Sequence, residues 1–147
     1  MYLAHIHLLL NHWPIIGSFI GLGLFLVSRV ANSDDLKQTS LALFALIALL
    51  AIPTYMSGTA AQAAIRQYTG LSEDLIKAHQ GAGLLAFVFM EITGSVALFG
   101  LWQFSRISRP LTRPVARWNS SAVLVFSIVT VALMTITGNT GGAIRHP

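Results

Sequence analysis

Five histidines, His5, His7, His12, His79 and His146, are the residues of this chain best suited to chemistry, and it has no cysteine. A neutral imidazole binds haem iron, copper or zinc and moves protons near neutral pH. The lack of cysteine excludes disulfides, thiolate metal sites and c-type haem attachment. No nucleophile–base motif, phosphate loop or carboxylate pair accompanies the histidines; Glu73-Asp74 reads as helix-start chemistry. The chemistry in question is therefore coordination, and a stand-alone enzyme is not indicated.

The elements that must position these histidines are membrane helices. The chain has 147 residues, 54% of them hydrophobic and 10% charged, with a mean hydropathy of +0.69. A soluble domain of this length carries roughly 25% charged residues, so lipid has to cover this surface. A span needs about 20 mainly apolar residues, and four stretches qualify: about 6–30, 36–56, 73–104 and 115–137. The first ends at Asn32-Ser33-Asp34-Asp35. Pro53 and Gly58 mark the end of the second. Ser72 reads as the N-cap of the third, ahead of Glu73 and Asp74. Gly138-Asn139-Thr140-Gly141-Gly142 ends the fourth. The alanine-rich stretch from Thr59 to Tyr68 reads as a short interfacial helix. No internal repeat is evident. The expected fold is all-α, an integral membrane four-helix up-down bundle forming a single domain over 1–147.

Basic residues set the orientation. Arg29, Lys37, Arg106, Arg109, Arg113 and Arg117 lie on one side, and only Arg66, Lys77 and Arg145 on the other. Loops rich in Lys and Arg stay in the cytoplasm, which puts both termini on the outer, periplasmic side. Topology accounts for the net charge of +4 without a nucleic-acid partner. Met1 to Asn11 has no basic n-region, so no cleavable signal is expected.

This topology gathers the histidines at the outer face. His79 lies roughly 10 Å inside its helix, and His12 precedes Trp13-Pro14, where a proline frees backbone groups. Spans one and three face each other across an up-down bundle, so His12 and His79 form a first axial pair for a b-type haem. His7 and His146 make a second pair, for one or two haems, or adjust the first. Gly17, Gly21, Gly81, Gly83 and Ala86 either leave room for a macrocycle or serve close helix packing. Arg66, Lys77 and Arg145 pair with haem propionates or with lipid headgroups. Copper or zinc held by the same histidines, with Met56 as a soft ligand, is the alternative.

The order of motifs resembles a family. His7-Leu8-Leu9-Leu10-Asn11-His12-Trp13-Pro14, then His79-Gln80-Gly81, then Thr137-Gly138 through Gly141-Gly142 to His146 is similar to the bacterial membrane family known as domain of unknown function 2231. The resemblance covers nearly the whole chain. It implies that His7, His12, His79 and His146 are the motif histidines and that His5 is extra. Leu8 stands in place of the family's proline and Pro147 in place of its final glycine. The architecture is similar to that of cytochrome b-type membrane subunits.

Glu91 lies near the middle of span three, where an ionisable group is costly and usually functional. It reads as a proton or quinone site, or as a hydrogen bond to Thr135 or Thr137. Trp13, Tyr68, Trp102 and Trp118 read as interfacial anchors. The function expected is a haem b electron-transfer protein of the bacterial inner (cytoplasmic) membrane, a subunit partnered by lipid, other redox subunits and quinone. The alternatives are the copper or zinc protein and a cofactor-free accessory subunit of a larger membrane complex.

Overall fold

The structure is a computed structural model and describes residues 7, 9–65, 73–105 and 113–145. Four helices follow in order: α1 (His12–Val30), α2 (Asp34–Ile65), α3 (Glu73–Ser105) and α4 (Arg113–Arg145). All four contain a stretch long and apolar enough to cross a membrane, the pattern of a multi-pass membrane protein. Ahead of α1, the Asn11 N–H donates to His7 O at 2.9 Å and carries the helical course back to His7.

The turn between α1 and α2 is built as its polar sequence suggests. Asn32 takes a positive φ of 51°, and Ser33 N–H reaches back to Ser28 O at 3.0 Å, the closing bond of a left-handed helix stop. Ser33 Oγ then accepts from Leu36 N–H at 3.3 Å and caps α2.

Two expected helix ends are corrected. Neither Pro53 nor Gly58 stops α2, which runs to Ile65 and absorbs most of the stretch read as an interfacial helix; Arg66 to Tyr68 lie outside the described residues. Likewise α4 continues through Gly138, Gly141 and Gly142 to Arg145. Glycine ends helices in water, where the freed backbone groups find new partners; an apolar solvent offers none, so the helix persists. Ser72, expected as a cap, also lies outside the described residues.

The helices form an up-down ring in which α1 packs on α2, α2 on α3, α3 on α4 and α4 on α1, the last most lightly. Alternation of direction is visible in the contacts. Tyr55 in the second half of α2 stacks on Phe87 at the middle of α3 at 4.6 Å, while Gly100 late in α3 meets Leu41 early in α2. Phe25, Leu41, Phe44, Met90 and Val123 fill the centre with no exposure. Ser18, Ser40, Thr93, Ser127 and Thr130 are equally buried, whereas Ile16, Phe19, Leu49, Leu85 and Val125 face outward. Small and polar side chains inside with large apolar ones outside is the arrangement of helices packed in lipid. Ser40 Oγ donates to Gly21 O at 2.8 Å, and Thr93 and Thr130 share a hydrogen bond of 2.9 Å.

An internal repeat, absent from the sequence reading, emerges from these contacts. Pro14, Ser18, Gly21, Phe25 and Ser28 are buried in α1; at one constant offset Ala86, Met90, Thr93, Ala97 and Gly100 are buried in α3. Ser40, Phe44, Ile47 and Ala51 in α2 correspond in the same way to Val123, Ser127, Thr130 and Met134 in α4. A heptad rhythm alone is common to bundles. Here the seams correspond too: the Tyr55–Phe87 contact has its counterpart in Gly138 against Ile15, where a Cβ on Gly138 would meet Ile15 Cδ1 at 3.6 Å. The bundle is two helical hairpins in tandem, related by a quasi-twofold axis along the bundle.

Candidate functional site

One histidine begins each hairpin, and each meets one turn of its hairpin's second helix. His7 Nδ1 lies 3.2 Å from Thr54 O and 3.2 Å from Ser57 Oγ. His79 Nδ1 lies 3.1 Å from Thr137 O and 3.1 Å from Thr140 Oγ1. The hydroxyls are themselves donors to helix carbonyls: Ser57 Oγ to Thr54 O at 2.8 Å, and Thr140 Oγ1 to Ile136 O at 3.0 Å. A carbonyl oxygen only accepts, so in both cases the ring must donate, with its proton on Nδ1. That leaves the lone pair of the neutral ring on Nε2, the atom a metal binds.

A glycine follows each hydroxyl and lets the ring approach. A Cβ on Gly58 would fall 2.8 Å from His7 Cε1, and one on Gly141 would fall 3.1 Å from His79 Cε1. The shared pattern, threonine, two residues, serine or threonine, glycine, occurs as Thr54 to Gly58 and as Thr137 to Gly141. It holds the residues that sequence reasoning missed, having taken both segments as helix ends. The signal that identifies them is the pattern's recurrence at the same offset that relates the buried positions of α2 to those of α4.

His7 sits ahead of the first membrane-length helix. Burial holds its imidazole below the ordinary value, the Thr54 carbonyl bond opposes this, and charge on the nearby His79 adds to it. The two rings lie at the same end of the bundle, on elements that stand across it from one another.

Other expected site residues fall differently. His12 is on the exposed side of α1, and its counterpart in α3 is the equally outward Leu84. His5, His146 and Arg66 lie outside the described residues, as does the side chain of Arg145. Lys77 is exposed and pairs with Glu73 at 3.5 Å, a surface contact of small energetic weight. Met56 belongs to the same turn of α2 as Thr54 and Ser57 but is 65% exposed. Gly17 and Gly21 leave no space for a macrocycle: a Cβ on the first would collide with Ile47, and one on the second would sit 2.8 Å from Phe44. Ala86 is likewise packed in the core. These three serve helix packing. Gly81 faces open space, and Gly83 has only the Thr137 methyl near it.

Glu91 is half-buried, and its Oε1 has no hydrogen-bond partner among the described residues. The expected bonds to Thr135 and Thr137 are not made; those hydroxyls donate to Val131 O and Leu133 O. Asn11 Oδ1, one turn after His7, is also buried without a partner among the described residues. Among these residues no three His, Cys, Asp or Glu side chains converge. No family model, curated protein or solved structure matches the chain, so the functional reading rests on these residues alone.

Proposed function

We propose that this chain is a membrane-embedded b-type haem protein that carries electrons, a subunit of a redox complex in the bacterial inner membrane, with its haem at the histidine end of the bundle on the periplasmic side. The observation that carries this reading is the docking of His7 and His79 through Nδ1, which reserves Nε2 of both for a ligand. The donor set fits haem by its count and its neutrality. Two imidazoles complete the coordination of a haem iron, whereas a tetrahedral zinc or copper site requires three or four protein ligands. Asn11 Oδ1, one turn after His7 and buried without a partner among the described residues, supports an end of the bundle built around a group that those residues do not supply. Bound haem would supply a one-electron couple; the chain's part is to hold the rings, exclude water and set the field around them. Membership of the domain of unknown function 2231 family belongs to this proposal, since its motif histidines include both docked rings.

The test is the absorption spectrum of protein purified after haem-supplemented expression. A Soret band, sharp α and β bands on dithionite reduction and a b-type pyridine haemochrome are expected, with iron the metal found on elemental analysis. Copper or zinc in place of iron would support the metal-site alternative, and a colourless, metal-free protein that co-purifies with partners would support the accessory subunit.

A further inference from the structure

We infer that His7 and His79 are the two axial ligands of a single haem shared between the two hairpins, and that the hydroxyls of Ser57 and Thr140 are equivalent positioning groups for them. This rests on the haem reading above and goes beyond it by fixing the ligand pair and the number of centres. The quasi-twofold axis makes the assignment. His7 and His79 are counterparts in the repeat, and so are the carbonyls of Thr54 and Thr137, the hydroxyls of Ser57 and Thr140, and the glycines that admit the rings. A ligand lying on the axis meets the same donor from both sides. His12 has no imidazole counterpart, because Leu84 takes its place, and both face outward.

The number of centres follows from the placement of the rings. They sit at the same end of the bundle, His79 in α3 and His7 just ahead of α1, the helix that stands across the bundle from α3. Two haems would require each ring to find a second ligand elsewhere, whereas one haem uses both as they stand. A hydroxyl that accepts from Nδ1–H fixes the ring's tautomer and rotation and makes Nε2 a stronger donor. Since Ser57 and Thr140 act at corresponding points, their loss should alter the iron alike.

The experiment uses the full chain in detergent, loaded with haem, as wild type and as His7→Gly, His79→Gly, His12→Gly, Ser57→Ala and Thr140→Ala. One haem per chain with a six-coordinate low-spin spectrum is expected for the wild type. His7→Gly and His79→Gly should each lose the low-spin signature and regain it with added imidazole, which separates loss of a ligand from loss of fold. His12→Gly should keep the wild-type spectrum. Ser57→Ala and Thr140→Ala should keep haem and low spin but shift the midpoint potential in the same direction, which a purely structural role would not do. A low-spin centre surviving in His7→Gly, or lost in His12→Gly, or two haems per chain, overturns the inference and leaves haem binding standing. A wild type that takes up no haem overturns both. Nitrogen NMR of the haem-free chain gives a second readout: His7 and His79 should both carry the proton on Nδ1, and a proton on Nε2 in either would overturn the clamp.

Discussion

On the proposed reading, an imidazole bound at Nδ1 to a helix carbonyl is a ligand prepared before its metal arrives. The carbonyls of Thr54 and Thr137 belong to the rigid interior of helices, so His7 and His79 are aimed by backbone, with Ser57 and Thr140 as side-chain supports. The glycines set the tolerance of this arrangement. In Gly58→Ala the new methyl would take the place of His7 Cε1 at 2.8 Å, and the ring must leave Thr54 O. The lost hydrogen bond is worth about 1 kcal/mol, and alanine returns about 1 kcal/mol of helix propensity. We therefore expect thermal stability to change little while the NMR signals of the His7 ring move to those of a free imidazole; Gly141→Ala, with 3.1 Å available, should shift His79 less. That His7, His12 and His79 share one end of the bundle was legible from spacing and topology; His5 and His146 lie outside the described residues. Which of them dock was not, because the main acceptor is a backbone carbonyl that no residue type announces. The Trp13-Pro14 context drew attention to His12, which the structure leaves outward.

At the scale of the helix, close approach is purchased with glycine. A Cβ on Gly94 would collide with Ala48 and lie 3.4 Å from Phe44 O, while one on Gly23 would meet nothing within 4 Å. Gly94→Ala should therefore push α3 away from α2 and cost about 1–3 kcal/mol, the usual penalty of overpacking. Gly23→Ala, on an exposed face, should be neutral or add at most about 1 kcal/mol. Unfolding of both variants in mixed micelles measures the difference. The four spans were readable from apolar length, and the first turn from Asn32-Ser33-Asp34-Asp35. The far ends of α2 and α4 were misread because rules for helix ends come from proteins in water, where Gly58 or Gly141 can release its neighbours to solvent.

For the whole molecule, orientation is open to direct measurement because the chain has no native cysteine. The proposed orientation puts the α1–α2 turn, flanked by Arg29 and Lys37, in the cytoplasm, so Asn32→Cys should react with a membrane-impermeant maleimide only after cells are opened. Glu73→Cys, at the start of α3, should react in spheroplasts with the inner membrane intact; the reverse pattern would invert the topology. The tandem construction was hidden from sequence because paired core positions keep burial and change identity: Ser18 answers to Met90, Phe25 to Ala97 and Phe44 to Ser127. The two seams between hairpins are equivalent in position and unequal in strength. Between α2 and α3 two aromatic rings stack, Tyr55 on Phe87; between α4 and α1 the same place holds Gly138 and Ile15, in the lightest of the four helix contacts. Local opening follows the weakest packing, so separation of the two hairpins should begin at the α4–α1 joint, while the stacked rings hold the α2–α3 joint closed.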